Sequence, residues 1–385
     1  MSATQTIEAS VLVGVKQLSV ETREIGPPGD DEAQVVVKST TLCGSDLHYY
    51  NHHRNGDFIV REPLSLGHES AGEVVAVGKN VTNVRPGDRV ALEVGIACLT
   101  CEQCLAGRYN LCYNMQFRSS AKVYPHFQGT LQQRINHPAR LCHKLGPGIS
   151  YNAAALMEPL CVVVHAAKRA ALEPGMKVLV FGAGAVGLLA GAMAKVAGAT
   201  TIAITDVVPK RVEFALANGF ATHGYVVPPR SGPPPANVEA KLEGAKTLAD
   251  AITGIKEGEG SDDVLGQFDV VFECTGVESC VQSGIYATKA GGKLMFVGMG
   301  NPVQTLHIGS AALREVDLLG VFRYANAYPV AISLLQSGAI APAAVEALVT
   351  HKFAGLREAG AAFELAGKMA DADGKLVIKV VVTDE

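Results

Sequence analysis

Cys43, in Leu42-Cys43-Gly44-Ser45-Asp46-Leu47-His48, and the triplet Gly67-His68-Glu69 bring a thiolate, an imidazole and a carboxylate into two short neighbouring segments. A soft sulfur, a nitrogen and an oxygen ligand suit a catalytic Zn²⁺ that keeps one position for water or substrate. A lone Cys or His is more often a core residue than a ligand, so the settings of these residues must carry the reading. A second group, Cys98, Cys101, Cys104 and Cys112, has the spacing C-x2-C-x2-C-x7-C, with Gly107 inside it. Four thiolates so placed can close a tetrahedral Zn²⁺ site with no open position, which holds a loop and does no chemistry. An iron–sulfur site also uses C-x2-C-x2-C, but continues as C-x3-C-P, which Cys112 does not satisfy. Cys142, Cys161, Cys274 and Cys280 have no ligand pattern and read as packing residues.

A third chemical signal is Gly182-Ala183-Gly184-Ala185-Val186-Gly187, between an apolar strand and a helix. Its glycines serve a tight turn, close approach of the backbone to a pyrophosphate, and close helix–strand contact. The helix N-terminus offers free N–H groups to the phosphates. Asp206 ends the next strand, nineteen residues after Gly187. A carboxylate there accepts hydrogen bonds from the adenosine ribose hydroxyls and repels a 2′-phosphate, which favours NAD over NADP. Arg211 has three readings: pairing a 2′-phosphate, stacking against adenine, or solvated.

The elements that must position these groups fall into two styles. Short apolar runs such as Val11-Leu12-Val13 and Val35-Val36-Val37 alternate with turns such as Gly26-Pro27-Pro28-Gly29, and Gly72–Val77 and Pro86-Gly87-Asp88-Arg89-Val90 continue the pattern. This part reads as an irregular β-rich unit. Residues 151–171 turn Ala-rich and helical. From Lys177 strands and helices alternate: strands at Val178–Phe181, Thr201–Thr205, Val270–Glu273 and Leu294–Val297, and helices at Val186–Ala197, Arg211–Ala217 and Ser279–Ala290. That alternation predicts a doubly wound parallel sheet. Pro228-Pro229-Arg230-Ser231-Gly232-Pro233-Pro234-Pro235 predicts a surface loop, running to about Asp263. After Ala325 helical segments lead to a final strand, Val377–Val382.

The chain of 385 residues is 48% hydrophobic with a net charge of −4. That length suggests two domains or one large one. With no Lys/Arg-rich run, a nucleic-acid or anionic-membrane surface is not expected. Met1–Ser10 lacks the basic start and apolar centre of a signal peptide. The longest uncharged apolar stretch, Val178–Ala194, is broken by Gly182, Gly184, Gly187 and Gly191, and reads as strand, turn and helix rather than a membrane span. Nine cysteines without a secretion signal suit a reducing, cytoplasmic setting.

In order along nearly the whole chain, the Cys-Gly-Ser-Asp segment, Gly-His-Glu, Pro86-Gly87-Asp88-Arg89-Val90, the four-cysteine loop and the glycine-rich turn resemble the zinc-dependent medium-chain alcohol dehydrogenases. Glu158-Pro159-Leu160, Val271-Phe272-Glu273-Cys274-Thr275-Gly276 and Phe322-Arg323-Tyr324 resemble their polyol dehydrogenase branch, the sorbitol, xylitol and L-arabinitol dehydrogenases. Other branches commonly have a cysteine at the position of Glu158. The resemblance implies an α/β fold: a GroES-like β-rich catalytic domain over residues 1–160 and 325–385, and a Rossmann doubly wound parallel sheet over 161–324. It implies that Cys43 and His68 bind the catalytic zinc, that Glu69 and Glu158 complete its surroundings, and that the four cysteines hold a structural zinc. Tyr49, Phe117, Glu158, Arg323 and Tyr324 match substrate-contacting positions, although Tyr49 and Phe117 also read as plain core residues. Ser45 and His48 match a proton relay, with a surface or core histidine the other reading of His48. Gly182, Gly184, Ala185, Val186, Gly187, Asp206, Arg211, Thr275, Val297, Phe322 and Arg323 match the NAD site. Ala185 stands where proline is common, and the loop from Pro228 is longer than in relatives.

The implied activity is oxidation of a polyol (sorbitol, xylitol, L-arabinitol or galactitol) to a ketose, with hydride transfer to NAD. Two rivals stand beside it: a zinc dehydrogenase for another secondary alcohol, such as threonine or a diol, and a catalytically silent NAD-binding relative. Loss of a zinc ligand would mark the silent relative, and Cys43, His68, Glu69 and Glu158 are all present. By analogy the enzyme is a homotetramer.

Overall fold

The structure, a computed structural model, describes residues 4–229, 232–258 and 260–384. The chain divides into two compact units, one of Met1–Cys161 with Ala325–Glu385 and one of Val162–Tyr324. Among the described residues no helix is long and apolar enough to cross a membrane.

The first unit is built on a mixed sheet. Its strands run in the spatial order Cys142–Lys144, Arg89–Leu92, Glu69–Val77, Glu32–Thr41, Lys379–Thr383 and Val349–Ala354, with Arg134–Pro138 also paired to Glu32–Thr41. All neighbours are antiparallel except the last two strands, which are parallel. Glu32–Thr41 is central, and its side chains alternate as a strand's must. Ala33, Val35 and Val37 join Val74, Val90 and Leu92 in one apolar cluster. The register sets Thr41 opposite Glu69 on one side and opposite Val381 on the other. The end of the central strand thus gathers residues from three distant parts of the chain. The helix Gly44–His52 begins three residues after Thr41.

The second unit is a six-stranded sheet in which every neighbouring pair is parallel. Its order is His223–Val226, Thr201–Asp206, Lys177–Phe181, Phe268–Glu273, Thr288–Phe296 and Asp317–Gly320. Strand order reverses direction between Lys177–Phe181 and Phe268–Glu273, the position at which doubly wound sheets open a crevice for ligands. Val178–Phe181 is fully buried, as expected of a strand covered on both faces.

Three expectations shift. The stretch from Pro228 is not one long loop: Val238–Thr253 is a helix, capped by the Asn237 side chain, which accepts from the Ala240 N–H at 2.8 Å. It buries only Ala245, Ala249 and Ile252. That small apolar stripe is easy to miss behind a run of prolines. Arg230 and Ser231 of the proline run, and Glu259, lie outside the described residues. The helix expected to reach Ala290 ends at Ala287, and strand begins at Thr288. Val349–Ala354, within the tail read as helical, is an edge strand held by the terminal strand.

Candidate active site

Cys43 is the N-cap of the helix Gly44–His52, in extended backbone geometry. Asp46, three residues on, reaches back to the Cys43 N–H at 3.3 Å with one carboxylate oxygen. Its other oxygen accepts from Ser119 Oγ at 2.6 Å and the Gly67 N–H at 3.2 Å, and bonds His68 Nδ1 at 3.1 Å. One buried carboxylate therefore fixes the peptide of Cys43, the turn at Gly67 and the ring of His68. Gly67 has φ +91, and a Cβ there would sit 2.6 Å from Thr40 Cγ2, so the turn admits glycine alone. With Nδ1 tied to Asp46, His68 presents Nε2 on its other side, where Ser45 Oγ lies 3.3 Å away. This is the carboxylate–histidine arrangement that orients metal-binding imidazoles.

The ligand atoms of Cys43, His68 and Glu69 all lie within 4.8 Å of one another. Burial works against a charge on His68, yet the Asp46 carboxylate and Cys43 outweigh it and raise its pKa well above the usual value. Burial likewise raises the pKa of Asp46, and the charge and hydrogen bond of His68 bring it below normal. A pocket that stabilises positive charge between a thiol and an imidazole, with mixed S, N and O donors, fits a divalent cation of the zinc type. Phe117 flanks the site, its ring centroid 5.5 Å from that of His68. Glu158 is buried in the first turn of the helix Met157–Ala170 and lies outside the cluster of three ligand atoms.

The sequence reading missed two partners. Asp46 sits inside the Cys-Gly-Ser-Asp segment, and its spacing from Cys43 was a usable signal. Lys379 had none. Its buried ammonium donates to both Glu69 oxygens and to Leu42 O at 3.1 Å. Burial disfavours its charge, but Glu69, Cys43 and Glu158 together keep it protonated above its ordinary range. Thr41 Oγ1 also donates to Glu69.

Of the remaining positions in this unit, Tyr49 packs in an apolar cluster, its hydroxyl accepting from the Ala121 N–H at 3.1 Å. His48 is exposed, its ring centroid 6.1 Å from that of His52. The four cysteines gather: Cys98 and Cys112 Sγ are 3.5 Å apart, as are those of Cys101 and Cys104, and all four lie within 4.8 Å of one another. Sulfurs about 3.8 Å apart are what ~2.3 Å bonds to one tetrahedral ion require. Backbone and side-chain donors of Thr100 pull Cys98 down to about 5, while burial and neighbouring thiols push Cys104 up to about 12. Leu99 takes φ +61 and Gly107 φ +72 to fold the loop back on itself.

In the other unit the glycines of the nucleotide turn separate into distinct duties. A Cβ on Gly182 (φ +96) would sit 2.8 Å from Thr275 Cγ2, and one on Gly187 would sit 1.8 Å from Gly182 O. A Cβ on Gly184 would meet nothing within 4 Å. The turn is thus packed on the protein side and open at the N-terminus of the helix Ala185–Val196, the cradle a pyrophosphate needs. Asp206 accepts from the Ala183 N–H at 2.8 Å and the Val208 N–H at 2.9 Å. Arg211 pairs with Asp206 at 3.8 Å, an arrangement none of its three readings anticipated. Glu273 accepts from the N–H of Thr275 at 2.7 Å and of Gly276 at 3.0 Å, and Val297 donates to Glu273 O at 2.9 Å. A cavity of about 1040 Å³ in this unit is lined in part by Tyr225, Val227, Pro228, Lys241, Thr275 and Val277. Pro228, at the start of the proline-rich segment, forms part of its wall. Arg323 has φ +51, with its guanidinium 4.8 Å from the Phe322 ring centroid, and Tyr324 is buried.

Residues 29–147 match the family model of the alcohol dehydrogenase GroES-like domain, and residues 185–337 match that of the zinc-binding dehydrogenases. The chain is 38% identical to sorbitol dehydrogenase of Gallus gallus, over all of this chain and 99% of that protein. It is 40% identical to L-arabinitol 4-dehydrogenase of Aspergillus oryzae, over 90% of this chain and 85% of that one. Among solved structures, L-idonate 5-dehydrogenase of Escherichia coli superposes with a TM-score of 0.82 at 26% identity, over 99% of this chain and 100% of that chain.

Proposed function

The chain belongs to the zinc-dependent medium-chain alcohol dehydrogenases and to their polyol dehydrogenase branch, and on that premise we propose that it oxidises a polyol to a ketose with NAD⁺ as hydride acceptor. The observation that carries this is the convergence of Cys43, His68 and Glu69 within 4.8 Å, with His68 oriented by Asp46. Cys43 and His68 hold the zinc, and Glu69 and Glu158 complete its surroundings. Zinc bound there lowers the pKa of the substrate hydroxyl, and NAD⁺ supplies the hydride acceptor. Ser45 Oγ, beside His68 Nε2, receives the hydroxyl proton and passes it outward towards exposed His48. Phe117 walls the site, and Arg323, Tyr324 and Tyr49 hold the remaining hydroxyls. A pocket made to hydrogen-bond those hydroxyls rejects simple alcohols, which would leave its buried polar groups unpaired.

On the nucleotide side the open face at Gly184, with Ala185, Val186 and Gly187, takes the pyrophosphate, and Asp206 takes the adenosine ribose. Thr275, Val297, Phe322 and Arg323 line the rest of the cofactor site, and Arg211 steadies Asp206. The four-cysteine loop holds a second, structural zinc. The enzyme works as a homotetramer in the reducing cytoplasm.

The test is NADH formation by the purified protein with a panel of pentitols and hexitols, with ethanol, threonine and 2,3-butanediol beside them. Activity confined to polyols is the expected result. Activity only on the other alcohols transfers the chain to the diol or threonine reading, and none at all in zinc-containing protein makes it a silent relative.

A further inference from the structure

The helix Gly44–His52 does more than carry the Cys43 cap. Ser45, His48 and His52 stand at i, i+3 and i+7, the spacing that keeps side chains on one helix face. That face leads from the ligand cluster to solvent: Ser45 Oγ lies 3.3 Å from His68 Nε2, whereas His48 and His52 are exposed. Its outer end is a pair of imidazoles four residues apart, with ring centroids separated by 6.1 Å and planes tilted by 37°. Two histidines at i and i+4 on one helix face are a ready chelate for a divalent transition metal. With metal–nitrogen bonds of about 2.1 Å, two imidazoles on one ion stand roughly 5 Å apart between centroids. Small rotations about χ1 and χ2 close the remaining distance of about 1 Å, and exposed side chains make them readily. The next residue, His53, is half-buried and its Nε2 is enclosed, so that nitrogen is closed to an ion arriving from solvent.

We propose that His48 and His52 bind a divalent transition-metal ion, such as Zn²⁺, Ni²⁺ or Cu²⁺, at the solvent end of this face, and that the bound ion inhibits turnover. The inhibitory half rests on the reading above that the hydroxyl proton leaves through Ser45 and His48. A neutral imidazole has one nitrogen lone pair in its plane, and a metal takes the same lone pair that an arriving proton needs. While the ion is bound, His48 cannot receive a proton from Ser45. Two protein ligands leave the other coordination positions to water, so this ion exchanges freely with solution and occupies the site only when the metal is abundant. Affinity should follow the usual order for imidazole sites, with Cu²⁺ held more tightly than Ni²⁺ or Zn²⁺.

The experiment uses the full-length enzyme carrying its own zinc, in a non-chelating buffer, titrated with further Zn²⁺, which has no redox chemistry of its own. Calorimetry should show the wild type taking up an additional ion per chain. Turnover should fall by roughly tenfold as it does so, and free histidine added as a competing chelator should restore it. His52→Gln removes one ligand and changes no residue of the proposed mechanism. It should keep wild-type turnover without added metal, and require roughly tenfold or more Zn²⁺ for both uptake and inhibition. Equal uptake by the wild type and His52→Gln overturns the site. Weaker uptake by His52→Gln with unchanged inhibition, or uptake by the wild type without inhibition, overturns the link to turnover. His48→Gln separates these failures from that of the relay reading: full turnover in that variant defeats the relay, while its loss of the additional ion still upholds the metal site.

Discussion

At the residue scale, the reactive groups were legible where chemistry and spacing coincide, and hidden where only the fold brings them together. Cys43, His68 and Glu69 stand out because their types form a ligand set and their segments match a known pattern. Asp46 was readable in principle, since a carboxylate three residues into a helix commonly reaches back to the N-cap. Lys379 was not, because a lysine in a C-terminal apolar strand carries no local mark of its partner. The proposed ligands lead to a direct expectation. Cys43→Ser or His68→Ala should cut bound zinc from two ions per chain to one, as read by metal analysis, and abolish turnover while leaving the far-UV circular dichroism unchanged. Full activity in either variant would defeat the assignment. Asp206 makes a narrower prediction. It accepts two backbone N–H groups and is the proposed ribose partner, so Asp206→Ser should shift the ratio of kcat/KM for NAD over NADP by about tenfold or more. The same change should lower stability by about 1–2 kcal/mol, since Ala183 and Val208 lose their acceptor.

At the element scale, the alternation of strand and helix from Lys177 onward announced a parallel sheet, because its strands are continuous apolar runs. The helix Val238–Thr253 was obscured by the preceding prolines and by a buried stripe of only three residues. The sheet of the first unit was readable as β-rich but not as a topology, since its order depends on pairing Glu32–Thr41 with a strand near the C-terminus. That sheet also buries a polar cluster with a pH signature. His137 accepts from Arg118 Nε at 3.1 Å and donates to Glu93 O at 3.0 Å, which requires the neutral ring. Burial, reinforced by the charge of Arg118, depresses its pKa well below 6.5. The unfolded chain gains a proton on this histidine below about pH 6.5, and the folded chain does not. Its contribution is therefore whole above pH 6.5 and shrinks as the solution is acidified, by about 1.4 kcal/mol per pH unit. His137→Gln, which can keep both hydrogen bonds, should flatten the pH dependence of the urea midpoint between pH 6.5 and 5. An unchanged slope would mean that His137 titrates alike in both states.

At the scale of the whole molecule, the discontinuous first unit explains why the C-terminal segment was the least legible part of the sequence. Lys379–Thr383 completes a sheet whose central strand, Glu32–Thr41, lies near the other end of the sequence, so its meaning depends on a partner that no local window contains. The proposed association of copies belongs to the same scale. Met299, Val303, Ile308 and Leu313 are 62%, 86%, 53% and 90% exposed, and all lie in the segment that leads from the strand Thr288–Phe296 to the edge strand Asp317–Gly320. Apolar side chains concentrated beside a strand edge that pairs with no other strand among the described residues expose both hydrophobic surface and unmet backbone groups, which a partner subunit would satisfy. The proposed homotetramer therefore has a specific place to be broken. Light scattering should give the wild type a mass four times that of the 40.2 kDa chain. Leu313→Glu should lower that mass while zinc content stays at two ions per chain, because the substitution lies in the nucleotide-binding unit and touches neither proposed metal centre. A tetramer undisturbed by Leu313→Glu would place the subunit contacts on another surface, and this apolar segment would then need a different partner.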